Sequence, residues 1–211
     1  SKRSRFEEAN YHLIRYCRLC PPNTNASEIK PLKSKRNEKR LCTSKGRFGS
    51  ISVVQNNSMR SLKINQEVEG GFWLINDTLS TIPASDYVMG FLPAGYHCKA
   101  HVKPAFGLML GLGAGAGVIA LLDNFSKLHL TVVEIDDKLI SIAQKYFPKL
   151  NEFIKKNRLK IVNTDAFQYI KRPTNHFNFT LVDLYIGEGK LNNAILAPSF
   201  LSALSSSADL I

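Results

Sequence analysis

The sequence predicts an α/β protein with a Rossmann-like, mostly parallel sheet, preceded by a small β-hairpin region. In the second half of the chain, apolar segments at 106–110, 130–133, 159–162 and 179–182 alternate with segments that have helical periodicity. A run of alternating glycines, Gly111 to Gly117, follows the first apolar segment. Strand and helix in alternation imply right-handed crossovers and a parallel sheet, which binds ligands at the carboxyl ends of its strands.

The basic charge of the chain is concentrated at its N-terminus. The formal net charge is +11, and residues 1–47 hold 13 Lys and Arg against 4 Asp and Glu, a net of +9. We interpret this segment as a helix over residues 1–20 and a basic linker, residues 21–47, that is solvated. Nucleic-acid binding is the alternative, which the scarcity of interleaved aromatic residues disfavours.

The cysteines and the hydropathy do not indicate a metal site, a disulfide framework or a membrane span. Cys17 and Cys20 have the spacing of half a zinc site, which His12 and Cys42 could complete, but a second close ligand pair is missing. We therefore expect no metal, and reduced thiols in a cytoplasmic protein. The uncharged stretch 105–122 is too rich in glycine for a membrane helix, and no signal peptide is visible.

Residues 48–100 are predicted to form a small β-rich subdomain. Apolar and polar residues alternate over 51–55 and 62–64, and the turn residues Asn56-Asn57-Ser58 lie between them, which is typical of a β-hairpin. A further strand is predicted at 72–75 and a short helix near 87–92. Residues 101–211 then form the nucleotide-binding domain.

Two features at strand ends predict a nucleotide site in this domain. The glycine loop, Gly111–Gly117, lets a ligand approach backbone atoms without a Cβ in the way. Glu134 ends the second strand about 20 residues later, where a carboxylate accepts hydrogen bonds from ribose hydroxyls. The alternatives are tight strand–helix packing for the glycines and a solvated carboxylate for Glu134, and Asp136 or Asp137 is a candidate helix cap.

The identity of the nucleotide rests on the third and fourth strand ends. The loop and Glu134 also fit an NAD fingerprint. Asp165, with Ala166, offers a carboxylate for the amino nitrogen of a single adenosyl group, which favours an S-adenosyl ligand. Asp183 follows the fourth strand and is predicted to face the reactive end of the ligand as a general base, with a capping or positioning role as the alternative.

Four segments together resemble the spermidine synthase-like branch of class I S-adenosylmethionine-dependent methyltransferases: Leu108–Gly117, Thr131–Asp136, Asp165-Ala166 and Val182–Tyr185. The hairpin residues Gly49, Ile51 and Val53, with Tyr87 downstream, resemble the small β-domain that these proteins carry before the nucleotide domain. The resemblance covers about residues 48–211 and implies the class I methyltransferase type of sheet.

The resemblance implies a set of site residues. Glycines 111, 113 and 115, with Leu112, are expected to line the amino-acid and ribose side of the ligand, and Glu134 and Ile135 the ribose. Asp165 and Ala166 are expected at the adenine, and Asp183 as the catalytic carboxylate. Tyr87 and Tyr185 are expected to contact the acceptor substrate.

The chain departs from spermidine synthases at several of these places. Ala114 stands where their glycine loop has Asp, Val88-Met89 stand where they have His-Glu, and residues 184–187 lack their Ser-Ser-Asp-Pro. Binding a polyamine requires several carboxylates in one cleft. We therefore predict first an S-adenosylmethionine-dependent methyltransferase with an unknown small-molecule or protein acceptor. The alternatives are an aminopropyltransferase that uses decarboxylated S-adenosylmethionine, and a non-catalytic interaction domain.

The predicted sheet stops early. A full class I sheet has seven strands, and this sequence ends at the start of the fifth, so C-terminal strands are expected to be missing. An exposed sheet edge favours association with another chain, and a homodimer is one way to cover it.

Overall fold

The computed structural model describes residues 38–171, 176–184 and 193–211. The predicted helix over 1–20 and the cysteine pair Cys17 and Cys20 lie outside the described residues. Within the described ranges, two sheets make up the strand content, a five-stranded antiparallel sheet and a four-stranded parallel sheet.

The antiparallel sheet, sheet A, has its strands in chain order. They are β1 (Lys39–Lys45), β2 (Ser50–Gln55), β3 (Met59–Ile64), β4 (Glu67–Ile75) and β5 (Thr78–Pro83). The hairpin predicted from the alternation is β2–β3, and its turn is closed by Asn56 Oδ1, which accepts from the backbone N–H groups of Ser58 and Met59 at 2.9 and 2.8 Å.

The linker interpretation of residues 21–47 is wrong over β1. This basic strand pairs antiparallel with β2, for example Thr43 with Ser52. Its side chains are mostly exposed or half-exposed, and its sequence shows no strong apolar alternation. The extended conformation of β1 therefore depends on backbone pairing with β2, which cannot be inferred from the local sequence. Sheet A thus begins before residue 48, and the boundaries between the predicted domains stay proposals.

The parallel sheet, sheet B, confirms the Rossmann-like prediction. It has the order β8-β7-β6-β9. Its strands are β6 (Ala105–Leu110), β7 (Leu128–Glu134), β8 (Leu159–Asn163) and β9 (Phe179–Val182). The chain moves outward from β6 to β7 and β8 and then returns to the other side of β6, so the carboxyl ends of β6 and β9 flank the point where the strand order reverses.

Helices cover both faces of sheet B. They are α1 (Leu92–His97), α2 (Ala116–Asn124), α3 (Asp137–Tyr146), α4 (Lys149–Lys155), α5 (Ala166–Tyr169) and α6 (Pro198–Ser207), with 3-10 turns at Asp86–Phe91 and Asn193–Leu196. Pro148 separates α3 from α4, and Pro198 begins α6. No helix in the described part of the chain is both long and apolar enough to cross a membrane.

A fully buried apolar core joins α2 to the two sheets. Every residue of α2 from Ala116 to Leu122 is buried, as expected of a helix packed on several sides. Its C-terminal end is held by Arg158, whose guanidinium donates to the carbonyls of Leu122 at 2.9 Å and Leu128 at 3.1 Å, and to that of Phe125. These hydrogen bonds supply donors to carbonyl groups near the end of α2 that have no partner within the helix.

The two sheets meet where β4 crosses the glycine loop. The carbonyl oxygen of Glu69 accepts from the Ala114 N–H at 3.3 Å. Gly113 has a φ of 52°, and a Cβ added to it would lie 2.5 Å from the same carbonyl oxygen. The loop therefore approaches β4 as closely as it does because residue 113 has no side chain.

Gly113→Ala is expected to destabilise the protein. The left-handed backbone costs about 1–2 kcal/mol for a residue with a Cβ, and the contact with Glu69 adds to this cost. Gly90→Ala is the matched control, because a Cβ there meets nothing within 4 Å. Urea unfolding of both variants measures the difference, and equal stabilities would contradict a tight contact between the sheets.

Candidate functional site

A cavity of about 510 Å³ lies between sheet A and the carboxyl ends of the sheet B strands. One wall comes from sheet A and the β1–β2 connection, the other from the glycine loop and the ends of β7, β8 and β9. The lining residues are Arg47, Phe48, Ile64, Glu67, Val68, Glu69, Gly111, Leu112, Gly113, Val133, Glu134, Ile135, Leu139, Asp165, Ala166, Phe167, Asp183 and Leu184. Its position matches the general location of ligands in open α/β sheets.

The glycine loop makes a sharp turn and packs between the carboxyl ends of β7 and β9. Gly111 has a φ of 105°, and a Cβ added to it would lie 2.2 Å from the carbonyl oxygen of Asp183. Its N–H donates to the Val133 carbonyl at 2.9 Å. The loop thus contacts both β7 and β9, and Gly111, Leu112 and Gly113, three of the residues predicted to contact the ligand, line the cavity.

Glu134 is the best-anchored carboxylate of the cavity. Its Oε2 accepts from the Leu112 N–H at 3.1 Å and its Oε1 from the Asp136 N–H at 2.9 Å. Burial raises the pKa of Glu134, and the backbone N–H groups of Asp136, Leu112 and Ile135 oppose that shift. A carboxylate has about four acceptor sites, so Glu134 keeps capacity for a further donor such as a ribose hydroxyl.

Asp136 proves to be a structural residue. It is almost fully buried and caps α3, because its Oδ1 accepts from the N–H groups of Lys138 and Leu139 at 3.0 and 3.2 Å. Its other oxygen accepts from the Arg47 N–H. That contact ties the β1–β2 connection to the start of α3, and so places Arg47 and Phe48 at the cavity.

Asp165 combines a capping role with a place in the cavity wall. Its Oδ1 accepts from the Phe167 N–H at 2.7 Å, which caps α5. The residue and its neighbour Ala166 both line the cavity. The Oδ2 atom has no protein hydrogen-bond donor within the described ranges, so it is available to a ligand.

Sheet A supplies two cavity carboxylates that the sequence analysis missed, Glu67 and Glu69. Burial raises the pKa of Glu69, and the negative charges of Asp183, Glu67 and Glu134 raise it further. Burial also raises the pKa of Asp183. With Asp165, five carboxyl groups line the cavity, against one basic side chain among its described lining residues, that of Arg47. The cavity is strongly acidic although the whole chain is basic.

The signal for these two residues was weak in the sequence. Glu67 and Glu69 alternate with Val68 in Glu67-Val68-Glu69, which is the pattern of a half-exposed strand. Their position next to the glycine loop depends on how the two sheets pack, which no local pattern encodes.

One predicted site residue, Gly115, does not line the cavity, and the side chains of two others are not described. Gly115 faces α4 instead of the cavity, since a Cβ added to it would lie 2.8 Å from the Leu150 side chain of that helix. Tyr185 lies outside the described residues. Tyr87 lies in the 3-10 turn Asp86–Phe91, where its backbone alone is described. Within the described ranges, no group of three His, Cys, Asp or Glu residues could hold a metal ion.

Comparison with known families agrees with this geometry. The model of the spermine/spermidine synthase domain matches residues 98–206, which includes the glycine loop and all four strands of sheet B. The chain belongs to this family. The resemblance stated from the sequence motifs is thus confirmed.

Curated relatives of this spermine/spermidine synthase family member are polyamine aminopropyltransferases. That of Thermoplasma acidophilum is 29% identical over 94 residues, which are 44% of this chain and 34% of the relative. That of Methanocaldococcus jannaschii is 24% identical over 110 residues, 52% of this chain and 38% of the relative. The chain therefore spans about a third of the length of these relatives.

Solved structures support the same fold. A spermidine synthase in complex with the transition-state analogue AdoDATO aligns with a TM-score of 0.60 and 16% identity, over 81% of this chain and 55% of that one. A probable spermidine synthase from Corynebacterium glutamicum aligns with a TM-score of 0.62 and 18% identity, over 79% of this chain and 60% of that one.

Asp183→Asn is expected to stabilise the protein at neutral pH. A raised pKa means that folded Asp183 holds its proton more tightly than unfolded Asp183, so its stabilising contribution is present below pH about 4 and is lost as the pH rises through the folded-state pKa. Asparagine does not ionise, so the variant does not lose this stability as the pH rises. Thermal melts at pH 7 should show a gain of roughly 2–4 °C, equivalent to about 1 kcal/mol.

The pH dependence is the internal control for this variant. The difference between the two proteins should shrink as the pH is lowered, and should vanish below about pH 3, where the aspartate is largely protonated in both states. A variant that is less stable than the parent at pH 7 would show that the ionised Asp183 carboxylate is stabilised by the fold.

Proposed function

We propose that this chain binds decarboxylated S-adenosylmethionine and transfers its aminopropyl group to an amine, as in polyamine synthesis. The acidic cavity beside the glycine loop is the observation that supports this proposal most directly. Family membership and the names of the curated relatives favour the same activity. Methyl transfer, which the sequence analysis put first, has no support from either.

The charge of the cavity distinguishes the two donors. Decarboxylated S-adenosylmethionine is cationic at its sulfonium and its amine, and its acceptor is also an ammonium before it reacts. S-adenosylmethionine carries in addition a carboxylate, which Glu69 and Asp183 would repel. A charged group that leaves water needs an opposite charge or hydrogen bonds in its place, and this cavity supplies them to cations.

The nucleoside half of the donor fits the sheet B wall. Glu134 retains acceptor capacity for a ribose hydroxyl, and Asp165 Oδ2, which has no donor among the described residues, can accept from the adenine amino group. Leu112, Ile135 and Ala166 add apolar surface on the same wall. These assignments follow the family pattern, and the geometry of the side chains is compatible with them.

Asp183 is the residue that we assign to proton handling. The donor supplies an electrophilic carbon next to its sulfonium. Asp183 first accepts a proton from the ammonium of the acceptor, for which a carboxyl with a raised pKa is suited. The neutral amine that results attacks this carbon, a C–N bond forms, and the C–S bond breaks with its electron pair moving to sulfur, which leaves as the neutral thioether methylthioadenosine. The cavity otherwise contributes proximity and orientation.

The remaining assignments concern the acceptor and the assembly. We assign the acceptor to a small-molecule amine, because the acidic cavity walls suit an alkyl ammonium. A homodimer stays a proposal, as does a division into a sheet A subdomain and a nucleotide-binding domain.

Glu134→Gln is expected to weaken binding of the nucleoside half. The loss of a charged hydrogen-bond acceptor costs about 1.5–3 kcal/mol, or roughly 10- to 100-fold in affinity for methylthioadenosine and for the decarboxylated donor alike. Calorimetric titration measures both affinities. Glu152→Gln, an exposed site on α4, is the control. Unchanged affinity in the Glu134 variant would contradict the ribose assignment.

Asp183→Asn is expected to reduce turnover while leaving nucleoside binding intact. Loss of a general base lowers the rate by about 10²- to 10⁴-fold. The assay supplies the decarboxylated donor and a diamine and measures methylthioadenosine by chromatography. Binding of methylthioadenosine without turnover in the parent protein would favour the non-catalytic alternative.

A further inference from the structure

We infer that Glu69 is the residue that selects the decarboxylated donor, by receiving the ammonium at the end of its aminopropyl chain. This inference rests on the proposed function and names a residue at which the chain departs from the family pattern.

The first step concerns position 114. Spermidine synthases have an aspartate in the glycine loop where this chain has Ala114. Ala114 is 1% exposed and does not line the cavity. Its methyl group packs against β4, since a Cβ added to Gly70 would lie 3.2 Å from it. The loop therefore lacks a carboxylate at this place and has no room for one.

The second step concerns the neighbour that occupies this place. Glu69 precedes Gly70 on β4, and its carbonyl oxygen accepts from the Ala114 N–H. Its side chain lines the cavity, where the charges of Asp183 and Glu134 act on it. The small residue at 114 allows β4 to lie on the loop, and β4 in turn brings a carboxylate beside the loop from the opposite sheet. Compared with the spermidine synthase pattern, the glycine loop lacks one carboxylate, and β4, which packs on the loop, supplies another.

The third step concerns what Glu69 faces. Within the described ranges no lysine, arginine or histidine forms an ion pair with Glu69, Glu67 or Asp183. Three carboxyl groups thus line one space without an ion-pair partner among the described residues, where Arg47 is the one basic residue of the described lining. A half-buried carboxylate gains most from a cationic ligand when it lacks such a partner. An ammonium fits this space, and a carboxylate on the same carbon would be repelled.

Three ligands that share one nucleoside test whether Glu69 binds the ammonium of the aminopropyl chain. Methylthioadenosine lacks both the amine and the carboxylate, the decarboxylated donor has the amine, and S-adenosylmethionine has both. Calorimetric titration of the parent chain should give the highest affinity for the decarboxylated donor. In Glu69→Gln, that affinity should fall about 10- to 100-fold, the scale of one charge-assisted hydrogen bond, while methylthioadenosine binds within twofold of the parent.

Two further variants sharpen the test. Glu67→Gln removes a more exposed carboxylate of the same strand and cavity, and should lower the affinity for the decarboxylated donor less than Glu69→Gln does. Glu69→Asp keeps the charge, and should retain more of the preference for the decarboxylated donor over methylthioadenosine than Glu69→Gln does. Equal losses in Glu67→Gln and Glu69→Gln would overturn the assignment, because the effect would then belong to the general acidity of the cavity.

The remaining outcomes distinguish this inference from the function on which it rests. If Glu69→Gln weakens methylthioadenosine as much as the decarboxylated donor, Glu69 supports the loop and the inference is wrong. If Glu69→Gln changes neither affinity, another group receives the ammonium, and the proposed function stands without this assignment. If the parent chain binds none of the three ligands, the proposed function fails, and the inference fails with it.

Discussion

The contact between Glu69 of β4 and the glycine loop is the point at which the two sheets meet beside the cavity. A backbone hydrogen bond from Ala114 and the absence of a side chain at Gly113 bring the strand against the loop. Together with the buried core that joins α2 to both sheets, this contact holds sheet A over the carboxyl ends of sheet B. The lining residues of β4 reach the cavity because the strand lies this close to the loop.

The carboxylates of the cavity work against the stability of the fold. Burial and mutual repulsion raise the pKa of Glu69, and burial raises that of Asp183 and Glu134. Backbone N–H groups compensate Glu134 in part, whereas no donor from the described residues bonds the Asp183 side chain. Unfavourable electrostatics of this kind are concentrated at functional sites, since a ligand of opposite charge removes them.

Sheet B and its strand ends could be predicted from the sequence because they depend on local signals. The buried strands are continuous apolar runs, and the polar residues that follow them, Glu134, Asp165 and Asp183, fall at one edge in any parallel sheet. The cap at Asp136 was foreseen as an alternative for the same reason. Gly115 was misplaced because alternate glycines look equivalent in a sequence, whereas a turn directs each to a different side.

Sheet A was predicted less completely. The β1 strand is basic and weakly patterned, and its conformation comes from pairing with β2. Glu67 and Glu69 gave the signal of an ordinary half-exposed strand, so the acidity of the cavity was underestimated and methyl transfer was put before aminopropyl transfer. The packing of one sheet on another is a property of the whole fold, and single-sequence patterns do not contain it.

The division of the cavity wall between two sheets has a consequence for how such a protein can diverge. Two carboxylates at the strand ends of sheet B, Glu134 and Asp165, accept from backbone N–H groups of the glycine loop and of α5, so substitutions there disturb the loop or a helix. Glu67 and Glu69 stand on the edge of β4 nearest the cavity, and neither side chain caps a helix in the described part of the chain. Mutational drift, or a designed library, can therefore alter ligand preference through β4 alone, with the nucleotide-facing half inherited unchanged.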